Sequence, residues 1–256
     1  MWDTVLFLFG LAIGSFLNVV IDRIPRGESI VFGRSRCDYC KKTLRWFELI
    51  PVLSYLIQGG RCVRCHKRLS VQYPLVELFT GAVFVALPHM QAAYGPAADA
   101  LYGYHLAALC SIASAGIVIM VTDLKYQIIP DRMLIVLVLA AGALLYPSPL
   151  PTAVQKLGVG AVSGSFFYLL WLGTRGRGMG FGDVKLSAVL GLLLGFPQAI
   201  IAFYTAFLTG AGYGVILIIQ RKAGMKSRVP FGPFLLLGAV VSVVWTAPVL
   251  HWAGFI

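Results

Sequence analysis

Charged side chains are scarce in this 256-residue sequence, at 12% of the residues, and acidic ones are the scarcest, with ten in the whole chain. Soluble globular domains contain about 25% charged residues. Together with 59% hydrophobic residues and a mean hydropathy of +0.83, this shortage excludes a soluble domain, a disordered chain and a disulfide-rich secreted module. The composition predicts an all-α polytopic membrane protein.

The shortage of acids leaves a formal net charge of +11, and the basic residues are clustered. Eleven lie between residues 23 and 68, and nine more form three smaller clusters: Lys125 and Arg132; Arg175, Arg177 and Lys185; and Arg221, Lys222, Lys226 and Arg228. The intervals between clusters are apolar, each long enough for two membrane helices, and each has a polar or proline-marked break, at residues 91–100, 147–151 and 195–197. All four clusters should therefore lie on one side of the membrane, and the positive-inside rule makes that side cytoplasmic.

Adding one span at residues 4–21 and one at 231–252 predicts about eight transmembrane helices with both termini in the periplasm. The expected organisation is a first helix within residues 1–21, a small cytoplasmic insert at 22–73 and a seven-helix membrane core at 74–256. The helix from about residue 184 to 195 should be short or partly unwound, because residues 184–220 must hold two helices in about 55 Å of helical length. A cleaved signal peptide is disfavoured, because the positive charges follow the first apolar run instead of preceding it.

Four of the five cysteines lie in the insert as two Cys-x-x-Cys pairs, Cys37 with Cys40 and Cys62 with Cys65. Two such pairs can present four thiolates to one tetrahedral ion, usually zinc, and a reducing cytoplasm disfavours the alternative of disulfides. We therefore expect a structural zinc site that folds a segment too small to build its own core. His66 is expected at the surface rather than at the metal, and Cys110 as a packing residue in an apolar helix.

Ionisable groups near hydrocarbon are costly and usually functional, so the aspartates at predicted helix ends need a reason. Asp123 ends the third predicted membrane helix, and Asp183 follows the glycines at 178, 180 and 182. Two such carboxylates on neighbouring helices could share a proton and activate water against a peptide carbonyl. Alternatively Asp183 caps the next helix, and Asp131 is interpreted as the cap of the helix that begins after Pro130.

An ordered set of motifs runs from residue 14 to about 234. It comprises Gly-Ser-Phe-Leu-Asn at 14–18, the four cysteines, Ile-Pro-Val-Leu-Ser-Tyr at 50–55, Tyr-Pro-Leu-Val-Glu-Leu at 73–78, Ile-Pro-Asp at 129–131, Gly-Phe-Gly-Asp at 180–183 and Pro-Phe-Gly-Pro at 230–233. This set resembles the motifs of the bacterial type IV prepilin peptidases. The Gly-x-Gly-Asp box alone would be weak, whereas the ordered set is specific.

The resemblance implies a bifunctional enzyme of the bacterial inner membrane. Such enzymes cleave the short basic leader of type IV prepilins and type II secretion pseudopilins at the cytoplasmic face, and then methylate the new N-terminus with S-adenosylmethionine. Carried over by motif, Asp123 and Asp183 are the catalytic pair, and Gly180, Gly182 and Lys185 belong to the active-site loop.

The methyltransferase residues are less defined by sequence. The family's Gly-Gly-Arg pattern before the third cysteine corresponds to Gly59, Gly60 and Arg61, and the acids Glu48 and Glu77 could hold the amine or the sulfonium, or equally pair with nearby arginines. S-adenosylmethionine rests on the resemblance alone, because no intact Gly-x-Gly-x-x-Gly motif is present. The alternative function is a proton-coupled transporter that uses the paired aspartates. Nucleic acid is not expected as a partner, since topology accounts for the basic charge.

Overall fold

The computed structural model describes residues 1–93, 99–146, 148–220 and 229–252, and it confirms an all-α polytopic membrane protein. Its helices are α1 (Trp2–Arg23), α2 (Leu53–Ile57), α3 (Gln72–Ala93), α4 (Asp99–Tyr126), α5 (Asp131–Leu145), α6 (Leu150–Gly173), α7 (Phe181–Leu194), α8 (Gln198–Ile219) and α9 (Gly232–Trp252), with a 3-10 turn at Trp46–Leu49. Among the described residues the extended structure consists of two isolated β-bridges in the insert.

Five of the helices in the described ranges are long and apolar enough to cross a membrane: α1, α3, α4 from Tyr102 onward, α6 and α8. In α9 the described apolar stretch is Gly232–Trp245. Helices α5 and α7 have 15 and 14 residues, or about 22 and 21 Å, less than the roughly 30 Å of a hydrocarbon core. The short helix expected near residues 184–195 is therefore confirmed, whereas the eight-span topology stays a prediction.

Two of the expected breaks between membrane helices are present. The chain leaves α5 after Leu145 and starts α6 at Leu150. It leaves α7 at Gly195, whose φ is 71°, and starts α8 after Pro197. Lys156 is the one lysine or arginine of the sequence outside the four clusters. Its ammonium donates a hydrogen bond to the carbonyl of Leu193, at the C-terminal end of α7. A positive charge is favoured at that end of a helix. The predicted break at 91–100 includes residues 94–98, which lie outside the described residues.

The chain divides into two compact units, residues 1–118 and 119–256. In the first unit α1 and α3 pack as antiparallel neighbours through small residues. A Cβ on Gly10 would lie 2.7 Å from the backbone of Gly81, and one on Gly14 would lie 2.7 Å from the backbone of Glu77. This close approach places the two ends of the insert side by side.

In the second unit α6 packs on α7, α8 packs on α9, and α7 also contacts α5 and α9. An aromatic cluster joins α6, α8 and the start of α9, with the fully buried ring of Phe167 packed against Phe203, Phe207 and Phe231. Helix α7 thus contacts α5, α6, α8 and α9, and it is the central helix of this unit.

Candidate active site and metal centre

The four cysteines of the insert converge on one point. Their Sγ atoms all lie within 4.8 Å of one another, and those of Cys37 and Cys65 are 3.8 Å apart. A tetrahedral ion with Zn–S bonds of about 2.3 Å separates its sulfurs by about 3.8 Å, so the donor set fits zinc. The predicted metal cluster is confirmed as a cluster, and the identity of its ion stays a prediction.

Each cysteine pair sits in the same local fold, repeated 25 positions along the chain. The sequence Arg-Cys-x-x-Cys-x-Lys-x-Leu occurs at residues 36–44 and again at 61–69. In both copies the first cysteine donates its N–H to the carbonyl five residues on, at 3.1 and 3.0 Å, and accepts from the N–H four residues on, at 2.9 Å. A β-bridge closes each copy. Our sequence reasoning missed this repeat, although an internal comparison of the insert would have found it.

The pKa values of the two most buried thiols of the cluster, Cys37 and Cys62, are shifted in opposite directions. The backbone N–H groups of Cys65 and Arg64 lower the pKa of Cys62 to about 7. Burial raises the pKa of Cys37 to about 11. A bound cation would offset the burial and hold both as thiolates. His66 is exposed, with a φ of 54°, which agrees with a surface position.

The predicted catalytic aspartates are both buried in the second unit, with 5% of Asp123 and 6% of Asp183 exposed. They are close enough to interact electrostatically. Asp183 is the third residue of α7, and its Oδ2 accepts the N–H of Gly180 at 3.0 Å. Asp183 therefore does make the capping contact of the alternative reading, but from inside the helix, and this contact occupies one of its two oxygens.

Asp123 lies in the last turn of α4, where a carboxylate opposes its own helix dipole. Its Oδ2 accepts the N–H of Gly232, the first residue of α9, at 2.9 Å. The N-terminus of a second helix thus faces the acid and stabilises negative charge there. The sequence placed Pro-Phe-Gly-Pro at 230–233 among the family motifs but did not predict that Gly232 binds Asp123. A glycine flanked by prolines at the start of a helix could have indicated such a close backbone contact.

Two glycines bring backbone close to the aspartates. A Cβ on Gly182 would lie 3.0 Å from the Cβ of Ile129, and a Cβ on Gly232 would lie 2.8 Å from Oδ2 of Asp123. Ile129 also lies 3.4 Å from that second position, so it covers both glycines. Ile129, in the α4–α5 connection, therefore packs against the glycine next to Asp183 and against the glycine that binds Asp123.

The interpretation of Asp131 as a helix cap is wrong. Pro130 is the N-cap of α5 and no side chain caps it. Asp131 instead accepts from the ammonium of Lys185 at 2.7 Å. Lys185 also lies over the ring of Phe181, with Nζ 5.4 Å from its centre. Local sequence could not reveal this pair, because its members are 54 positions apart and meet only when α5 packs on α7.

The methyltransferase candidates all lie in the first unit, where the structure gives each a backbone contact. Glu48 accepts the N–H of Arg45 at 2.6 Å, and Glu77 accepts the N–H of Val52 at 2.7 Å. Both acids are buried. Gly60 has a φ of 66° and lies under the Tyr55 ring, so that a Cβ there would lie 2.9 Å from the Tyr55 hydroxyl. Arg61 is exposed and lies in the β-bridge that closes the second copy of the cysteine repeat. We call the two copies, residues 36–44 and 61–69, the first and second cysteine knuckles.

Comparison with known proteins bears directly on these two sites. Residues 8–90 match the bacterial peptidase A24 N-terminal domain, and residues 110–215 match the type IV leader peptidase family. The prepilin leader peptidase/N-methyltransferase of Bacillus subtilis is 35% identical over 246 residues, covering 94% of each chain. That of Aeromonas hydrophila is 33% identical over 285 residues, covering 98% of this chain and 93% of its own. No solved structure matches.

These matches span nearly the whole sequence and include both the cysteine-containing insert and the aspartate-bearing helices. They give no support to the alternative of a proton-coupled transporter. The chain belongs to the type IV leader peptidase family.

Proposed function

We propose that this chain cleaves the leader peptide of type IV prepilins and type II secretion pseudopilins and then methylates the new N-terminal amine. The observation that carries the protease assignment is the pair of buried aspartates, each held by one backbone N–H at the start of a helix. The names of the relatives support both activities.

In the proposed peptidase reaction Asp123 and Asp183 share one proton, because two neighbouring carboxylates are costly to ionise together. The ionised member takes a proton from water, and the water oxygen forms a bond to the scissile carbonyl carbon. The protonated member donates to the carbonyl oxygen. Collapse of the intermediate then breaks the C–N bond, and a proton passes to the leaving amine.

The backbone around the pair suits an extended peptide. Gly180 carries no side chain that would obstruct a substrate strand beside Asp183, and its N–H holds that acid in place. Gly182, in the same loop, leaves room for the close approach of Ile129. We place Lys185 at the edge of this loop, where its pairing with Asp131 fixes the start of α5. The basic clusters support placing this loop at the cytoplasmic face and both termini in the periplasm.

For the second activity S-adenosylmethionine would supply the methyl group. Glu48 and Glu77 are the buried acids in the described part of the first unit, and each keeps oxygen lone pairs beyond its backbone bond, which suits a cationic group. Gly60 and Arg61 complete the candidate set. The zinc we propose on the four cysteines is structural, since four thiolates leave no open coordination position.

The decisive experiment incubates membranes containing the protein with a prepilin, with and without S-adenosylmethionine, and reads the product by mass spectrometry. We expect loss of the leader in both samples and an added methyl group only with the cofactor. An intact prepilin in both samples would refute the peptidase assignment. A cleaved product that never gains a methyl group would refute the transferase assignment alone.

A further inference from the structure

One segment of the insert has an unusual surface. Between Arg45 and Arg61 the sequence contains a single charged residue, Glu48, and that residue is buried. Seven large apolar side chains of this segment are exposed, from 36% to 78% of their surface: Trp46, Phe47, Leu49, Ile50, Leu53, Leu56 and Ile57. A water-facing surface rarely carries so many contiguous apolar groups. An apolar stretch of 10 to 14 residues is typical of an interfacial or re-entrant segment when it is not buried in a core.

The contacts of Glu77 show how deep this segment lies. The carboxylate of Glu77 binds the N–H of Val52 at 2.7 Å and also accepts a hydrogen bond from the side chain of Ser15. Ser15 precedes the end of α1 at Arg23 by eight residues, or about 12 Å along the axis. The headgroup layer on each side of a bilayer is only about 5–8 Å thick. With Arg23 at the outer edge of the headgroup layer, Val52 would lie beside the spans at the level where hydrocarbon begins.

The backbone turns sharply at this deepest point. Val52 has a φ of 60° and a ψ of −51°, and the N–H of Leu53 donates to the carbonyl of Pro51, which closes a three-residue turn. Such a turn is strained for a β-branched residue. The hydrogen bond that the N–H of Val52 donates to Glu77 stabilises this turn. The 3-10 turn before it and α2 after it thus form the two arms of a loop whose tip is bound to α3.

Basic residues flank the loop on both sides. Lys41, Lys42 and Arg45 precede it, Arg61, Arg64, Lys67 and Arg68 follow it, and all of them are exposed. Long cationic side chains next to an apolar surface can reach phosphate headgroups while the apolar groups enter the acyl region. The charge pattern therefore complements a lipid bilayer.

We propose that residues 46–57 form a membrane-inserted loop, with the exposed side chains of the 3-10 turn and of α2 in contact with acyl chains of the membrane that α1 and α3 span. The insert is then an interfacial module whose two cysteine knuckles face water. The proposal does not depend on the peptidase or methyltransferase activity.

The test uses the full-length protein in liposomes that contain a phospholipid with a photoreactive diazirine in its acyl chain. After irradiation, tryptic digestion isolates residues 46–61 as one peptide, because arginines bound it at positions 45 and 61. We expect lipid adducts on this peptide at the level found for peptides of α1 and α3. The knuckle peptides, which contain the exposed Tyr39 and Val63, should stay unlabelled and serve as the internal control.

A pair of variants makes the test specific. The double variant Leu56→Asp, Ile57→Asp should abolish labelling of the 46–61 peptide. Val63→Asp changes an exposed apolar residue of the second knuckle and should leave labelling of the 46–61 peptide unchanged. Zinc content reports whether the variants keep a folded insert. Labelling of the 46–61 peptide no higher than that of the knuckles in the wild-type protein would overturn the proposal, whether water or another protein surface covers the loop.

Discussion

The backbone N–H of Gly232 donates to the carboxylate of Asp123 across 2.9 Å, joining residues 109 positions apart. A Cβ at position 232 would lie 2.8 Å from that oxygen. We expect Gly232→Ala to displace the carboxylate and lower kcat about 100-fold, since a misplacement near 1 Å costs about that much. KM should change little. Steady-state cleavage of a prepilin measures both constants, and Gly212→Ala is the matched control because nothing lies within 4 Å of that position in α8. Equal kcat values for the two variants would contradict a positioning role for Gly232.

Asp123→Asn and Asp183→Asn should each abolish leader cleavage while protein still accumulates in membranes. An amide can accept the same backbone N–H bond, so the fold keeps its contacts, but it cannot exchange the proton that the reaction needs. Immunoblots of prepilin and of the enzyme measure the two quantities. Asp3→Asn, an exposed acid at the start of α1, should cleave normally. Near-normal cleavage by either of the first two variants would end the assignment of the pair.

The metal prediction concerns stoichiometry. Purified protein should carry about one zinc per chain, and Cys37→Ser or Cys62→Ser should remove it and expose the insert to proteases. Cys110→Ser should retain the metal, because Cys110 lies in α4 and not in the cluster. Elemental analysis and limited proteolysis give the two readouts. Metal-free wild-type protein with a protected insert would show that the thiols fold this segment without an ion.

Asp131→Asn should remove the ion pair with Lys185. Because Asp131 does not cap α5, loss of a helix cap is not expected. The aspartate and lysine side chains are 68% and 40% exposed, and an exposed pair contributes about 0–1 kcal/mol. We expect cleavage activity to fall by no more than about fivefold. A loss as large as that of Asp183→Asn, in the same cleavage assay, would instead place Asp131 in the chemistry.

Gly60→Ala should reduce methyl transfer and spare leader cleavage. The substitution forces a side chain into left-handed backbone, at about 1–2 kcal/mol, and against the Tyr55 hydroxyl at 2.9 Å. Gly59→Ala shares the backbone penalty, at a φ of 57°, but has nothing within 4 Å. The comparison therefore isolates the Tyr55 contact. Mass spectrometry of the cleaved product gives the methylated fraction, and identical fractions for both variants would show that this contact is irrelevant to transfer.

Patterns within short stretches of sequence predicted much of this molecule. The charge clusters and apolar runs located the helices, and the two Cys-x-x-Cys pairs located the metal cluster, because each depends on residues near one another in the chain. The 37-residue interval at 184–220 even predicted a short α7, since length limits what a segment can span.

Pairings between distant residues escaped prediction. The bond from Gly232 to Asp123, the ion pair of Lys185 with Asp131 and the hold of Glu77 on Val52 all link separate elements. Each depends on how helices pack, which hydrophobic periodicity does not specify. Glu77 shows the consequence: its sequence suggested either a role in holding the amine or the sulfonium or a partner among the arginines, and neither predicted that its carboxylate binds the backbone N–H of Val52.

The dependence of Asp123 on α9 has a consequence for biosynthesis. A ribosome finishes both aspartates before it reaches Gly232, so the nascent chain holds two acids without the amide that orients one of them. Insertion of α9 supplies that amide. Until then Asp123 lacks its backbone partner, so the last helix to be made completes the surroundings of an acid near the middle of the chain.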